Sequence, residues 1–153
     1  MNYESAMRAA LERAKFGATA SGDVPVGAVM LNKSGEIIAL GVNQRELLRD
    51  PVGHAEIVVI RSAARSLGTW RLDECTLVVT LEPCAMCAGA IMQSRIPRVV
   101  FGAWDTKAGA AGSTCDLLRD PRALHKVEVI TGVSSRECSE LLVTFFEDKG
   151  KFR

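Results

Sequence analysis

His54-Ala55-Glu56 and Pro83-Cys84-Ala85-Met86-Cys87 are the two stretches of this sequence whose residue types and spacing could do chemistry. Cysteines three apart on a helical turn project from one side, so Cys84 and Cys87 can reach a single ion. Two soft thiolates and an imidazole suit zinc, and three protein ligands leave its fourth tetrahedral position open to water, as a catalytic ion requires. Each stretch opens a helix, and the positive end of a helix dipole favours the thiolate form of both cysteines. His54 and Glu56 are two apart, a spacing that regular helix sends to opposite faces. His54 must therefore sit at or before the first turn for both side chains to enter one pocket. A divalent cation, two thiolates and a neutral imidazole sum to zero charge, so such an ion acidifies water only weakly. The proton transfers then fall to Glu56, which takes the water proton as base and returns it to a leaving nitrogen as acid.

A bracing zinc would need a fourth Cys or His. His125, Cys75, Cys115 and Cys138 show no paired ligand spacing, and taken singly the cysteines read as small buried apolar residues. A lone Cys-x-x-Cys is a common pattern; what raises it here is the company of His54, Glu56 and Pro83.

The elements that must position these residues follow from periodicity. Met7, Ala10, Leu11, Ala14 and Ala18 predict an amphipathic helix over 3–20, ended by Ser21-Gly22-Asp23. Residues 24–31 and 36–42 read as a strand hairpin around Asn32-Lys33-Ser34-Gly35. Helix is expected over 55–67 until Gly68, strand over 75–81, helix from about Cys84 to Ser94 and strand over 98–101. A shaped loop carrying Trp104, Asp105 and Lys107 runs from Gly102 to Cys115. A last strand over 127–131 precedes a helix that Ser134 should N-cap, with Glu137 three residues on, running to about Asp148. Together these give an α/β domain over residues 1–153, helices covering a mixed five-stranded sheet.

Composition sets the limits. The chain has 153 residues, 48% hydrophobic and 24% charged, which excludes disorder and collagen. Nineteen basic against eighteen acidic residues leave a charge of +1, so a nucleic acid must be met by a local patch. Arg45, Arg49, Lys107, Arg119, Arg122, Lys126, Lys149, Lys151 and Arg153 are the candidates. Five cysteines with no basic-then-apolar leader point to thiols in a reducing, cytoplasmic setting, and no apolar run is long enough to span a membrane.

With these residues in view, the chain resembles the cytidine deaminase superfamily, whose general H-x-E…P-C-x-x-C pattern it carries. Within it, Thr80 to Ala90, Arg98 to Ala103, Val24 to Val29, Ala108 to Ser113 and Phe145-Phe146 are similar to the bacterial tRNA adenosine deaminases. The resemblance implies a three-layer domain that converts adenosine hydrolytically to inosine at the wobble position of a tRNA anticodon, as a homodimer with one Zn2+ per subunit. It makes His54, Cys84 and Cys87 the metal ligands and Glu56 the proton shuttle. Asn43 would hold the base, and Arg45, Asp105, Lys107 and Phe145 would contact the anticodon loop. An unstacked loop base costs less to draw into a pocket than one in a duplex, which suits that target. The same zinc site would also serve a deaminase of free bases or nucleosides of guanine or cytosine type, and a non-catalytic zinc-braced module is the third reading. The chain departs from the family pattern at Pro51-Val52-Gly53, where Pro-Thr-Ala is usual, an exchange expected to loosen His54. It departs again at Glu147-Asp148-Lys149-Gly150, where family members are basic.

Overall fold

The computed structural model describes residues 2–148. In chain order the elements are α1 (Glu4–Ser21), β1 (Gly27–Leu31), β2 (Ile37–Val42), α2 (Arg45–Leu48), α3 (Ala55–Leu67), β3 (Thr76–Leu81), α4 (Ala85–Gln93), β4 (Arg98–Ala103), β5 (Glu128–Thr131) and α5 (Ser135–Asp148). The strands form one sheet in the order β2-β1-β3-β4-β5. β1 pairs antiparallel with β2 and β3, while β3, β4 and β5 run parallel, so the sheet is mixed as expected.

The central strands are buried on both faces, and the two-residue side-chain period divides them between two cores. Ala28, Met30, Leu77, Val79, Val99 and Phe101 pack with Ala55, Val59 and Ala63 of α3 and with Ala88 and Ile91 of α4. Val29, Leu31, Val78 and Val100 point the other way, onto Met7, Ala10 and Leu11 of α1 and Cys138 of α5. The result is three layers: α1 and α5, the sheet, and α3 with α4. Gly41 in β2 lets α3 come close, because a Cβ there would lie 2.8 Å from the Ala55 carbonyl oxygen. The helix that begins beside His54 is thus seated against the sheet.

The turn 32–35 forms as expected, with Asn32 Oδ1 accepting from the Ser34 and Glu36 N–H groups at 3.0 and 2.9 Å. One local expectation fails, and one element was not foreseen. Ser134 takes φ 52°, which is left-handed and not the extended backbone of an N-cap. The short α2 has no apolar periodicity to announce it. It forms because Asp23, buried and far away in sequence, accepts from the Glu46 and Leu47 N–H groups at 2.7 and 3.2 Å. Among the described residues no helix is long and apolar enough to cross a membrane.

Candidate active site

Parallel strands end together, and ligands in such sheets gather at the carboxyl ends. β3 delivers the chain there through Glu82 and Pro83 to Cys84, the N-cap of α4; the loop before α3 delivers His54, the N-cap of that helix. Both N-caps are extended, with φ −72° and ψ 153° at His54 and φ −77° and ψ 176° at Cys84, and neither side chain caps its own helix. The two side chains are thereby free to turn inward, as the spacing of His54 and Glu56 demanded.

They meet at one point. His54 Nδ1 lies 3.6 Å from Cys84 Sγ and 3.5 Å from Cys87 Sγ. Zinc bonds of about 2.3 Å to sulfur and about 2.0 Å to nitrogen, at a tetrahedral angle, put N and S about 3.6 Å apart. A single ring nitrogen cannot hydrogen-bond well to two thiols at once, but it can share an ion with two sulfurs. Among the described residues this is the one group of three such side chains whose ligand atoms all lie within 4.8 Å of one another. His125, the other histidine, is engaged elsewhere, its Nε2 2.7 Å from the Ile96 carbonyl oxygen.

The electrostatics suit a cation. A hydrogen bond from Cys87 brings the Cys84 thiol down to about 4 against burial, with His54 assisting. The same bond, together with burial and nearby Glu56, pushes Cys87 up. The two thiols are thus shifted in opposite directions, and a dication bound between them would favour both as thiolates. Glu56, only 4% exposed, sits in the first turn of α3. Burial lifts its carboxyl to about 7, with its backbone hydrogen bond and His54 pulling partly the other way. A carboxyl near neutrality can both take and give a proton.

Above these groups opens a cleft of about 430 Å³, bordered by His54, Glu56 and Cys84. Asn43, Arg45, Asp105 and Lys107 line it, so four of the five residues expected to touch substrate converge there. Asn43 is oriented by donating from Nδ2 to the Val24 carbonyl oxygen at 3.2 Å. Phe145 is not in the lining; Phe146 is, its ring meeting that of Phe145 edge-on at 5.3 Å. Arg119 and Arg122 are paired with Asp116 and Asp120 and add no free charge. Lys149, Lys151 and Arg153 lie outside the described residues.

The zinc-binding region profile of the cytidine and deoxycytidylate deaminases matches residues 1–103, a stretch that includes His54, Cys84 and Cys87. The chain belongs to that deaminase family. The tRNA-specific adenosine deaminase of Bacillus subtilis (strain 168) is 48% identical over 145 residues, covering 95% of this chain and 89% of the relative. A solved structure from a study of A-to-I editing by tRNA:A34 deaminases at the wobble position is 41% identical, with a TM-score of 0.85 over 90% of this chain and 99% of that one. The guanine deaminase of Nitrosomonas europaea superposes nearly as well, TM-score 0.82 over 93% of this chain and 83% of its own, at only 26% identity. The chain is accordingly a zinc-dependent hydrolytic deaminase.

Two features of this deaminase were not read from its sequence. Around the Val52-Gly53 departure the backbone before His54 is hydrogen-bonded: the His54, Gly53 and Val52 N–H groups bond to Val52 O, Asp50 O and Asp50 Oδ1 at 2.8, 3.0 and 3.0 Å. Glu82, noted only as part of a motif, proves to be a buried carboxylate that anchors the loop after β4. It accepts from the N–H groups of Asp105, Ala111 and Ser113 at 2.9, 3.0 and 3.0 Å and from the Ser113 hydroxyl. Burial alone would raise its pKa; these hydrogen bonds outweigh burial and hold it below the ordinary range. Gly109 is obligatory beside it, since a Cβ there would stand 2.2 Å from the Glu82 carboxyl carbon. The loop is strapped down further where Ala110 N–H bonds to the Pro83 carbonyl at 2.8 Å, which sets Asp105 and Lys107 over the cleft.

Proposed function

We propose that this protein deaminates the wobble adenosine of a tRNA anticodon to inosine. The observation that carries the reading is the convergence of both sulfurs on His54 Nδ1 beside the buried Glu56, at the floor of a cleft large enough for a nucleotide. Close identity to proteins called tRNA-specific adenosine deaminases supports the substrate, and the guanine deaminase likeness is weaker by that measure.

His54, Cys84 and Cys87 would hold the zinc, which supplies a Lewis acid and activates water. Glu56 takes a proton from the attacking water on its carboxylate and delivers it to the exocyclic nitrogen, so that adenosine and water become inosine and ammonia. Its burial, which sets the carboxyl near neutrality, suits it to both halves. Asn43 offers its amide to the base edge. Arg45 and Lys107 are placed to meet phosphates, and Asp105 to accept from a base or ribose. Phe145 is proposed to act on the RNA beside Phe146. A homodimer belongs to the same proposal, supported by Leu47 and Leu48 on α2, each 58% exposed.

Purified protein incubated with an arginine tRNA bearing an ACG anticodon should yield inosine at the wobble position by sequencing. Absence of inosine, alongside ammonia release from free guanine or cytosine, would transfer the assignment to a free-base deaminase.

A further inference from the structure

Trp104 stands in the loop that Glu82 anchors, bordering the cleft. It is 47% exposed, yet it is firmly placed. Its ring meets Phe101 edge-on, with centroids 5.0 Å apart and planes at 85°. The Gly112 backbone approaches so closely that a Cβ there would lie 3.0 Å from the indole Cζ3. The next peptide N–H, that of Asp105, is bonded to Glu82. A large aromatic surface is thus held open beside the site instead of being folded into the core.

The cleft, about 430 Å³, has room for more than one base ring. Around it stand two cations, Arg45 and Lys107, and two aromatic rings, Trp104 and Phe146. Cations that follow a backbone, interleaved with rings on which bases stack, are how single strands are held. Drawing one base down to the metal unstacks its neighbour, which then presents a bare face. We propose that Trp104 is the stacking platform for a base adjacent in the strand to the adenosine that is deaminated. This rests on the RNA reading above. The indole touches substrate away from the reacting atoms, so it governs how tightly RNA binds, and hence KM, while kcat is left to Glu56 and the metal ligands.

The chain has two tryptophans. Trp70 packs against Arg71 and Arg95, outside the cleft lining, so W70F leaves Trp104 as the sole indole fluorophore. In W70F carrying E56Q to prevent turnover, a hairpin RNA with the reacting adenosine in its loop should quench that fluorescence. Kinetics then compare three hairpins: intact, abasic on the 5′ side of the adenosine, and abasic on the 3′ side. W104A should raise KM for the intact hairpin roughly 5- to 100-fold with kcat and zinc content kept, and W104F should recover most of the loss. One abasic hairpin should cost the wild type a similar factor and cost W104A nothing more. An unchanged KM, equal losses by W104A on all three hairpins, or a bound hairpin that leaves the fluorescence unquenched would overturn the platform while leaving the deaminase reading intact. A wild type that leaves the hairpin adenosine unconverted sinks the RNA reading and this proposal with it.

Discussion

Changing Glu82 to glutamine replaces one oxygen by an NH2 group at nearly constant volume, so the outcome can be worked from four hydrogen bonds. Oε1 accepts from the Asp105 N–H and the Ser113 hydroxyl; Oε2 accepts from the Ala111 and Ser113 N–H groups. An amide with its NH2 at the Oε2 position would face two backbone donors that cannot turn away. With NH2 at the Oε1 position it faces only one, because the Ser113 hydroxyl can rotate to accept. Glutamine should choose the second arrangement and leave the Asp105 N–H pointing at a donor. An unmet buried donor costs about 1–3 kcal/mol, and the two surviving N–H bonds fall from charge-assisted to neutral strength, roughly half. Taking about 2 kcal/mol at Asp105, its amide should exchange about 30-fold faster than in the wild type. Ala111 and Ser113 should be accelerated by much less, and the melting temperature should drop by roughly 4–8 °C. Residue-resolved hydrogen exchange on the zinc-loaded protein reads this directly. Faster exchange at Ala111 than at Asp105 would refute the orientation argument, and unchanged exchange at all three would show that the carboxylate does not hold the loop.

Gly109→Ala attacks the same contact from the other side: a Cβ 2.2 Å from the Glu82 carboxyl carbon cannot be accommodated, so the loop should detach, and protease nicking within 104–114 should appear at concentrations that spare the wild type. Glu56→Gln should retain one zinc by metal analysis while kcat falls by about 10²-fold or more, since the fold and ligands persist and only the proton carrier is lost. In the metal-free protein the raised Glu56 pKa gives a sign that can be checked. The native state keeps a proton at pH values between 4.5 and about 7 that the unfolded chain releases, so rising pH through that window costs the wild type stability relative to E56Q, by about 3 kcal/mol in total. Urea titrations of both proteins at pH 4.5 and pH 7.5 should show that divergence. Asp23→Ala removes the remote cap of α2 and should lower stability by about 1–2 kcal/mol in thermal melts while zinc content stays at one.

Much of this protein was legible in its sequence because its chemistry is carried by short-range geometry. One helical turn brings Cys84 and Cys87 together, and a two-residue spacing forces His54 out of the first turn, so the meeting of His54, Cys84 and Cys87 beside Glu56 could be expected from residue spacing. Apolar periods and the stops at Gly22 and Gly68 likewise gave the order of all elements except α2. What only the tertiary structure decided are the links between segments far apart in the chain: Asp23 under α2, Glu82 beneath the Trp104–Ser113 loop, the opposite shifts of the two cysteine thiols, and the turn of α5 that presents Phe146 to the cleft. The physical reason is common to the first two. Their donors are backbone N–H groups, which every residue but proline carries, so nothing in the composition of a loop announces which buried carboxylate will gather it. The burial that raises the Glu56 carboxyl, and the hydrogen bonds that shift the two thiols in opposite directions, exist only once both helix ends are seated against the sheet.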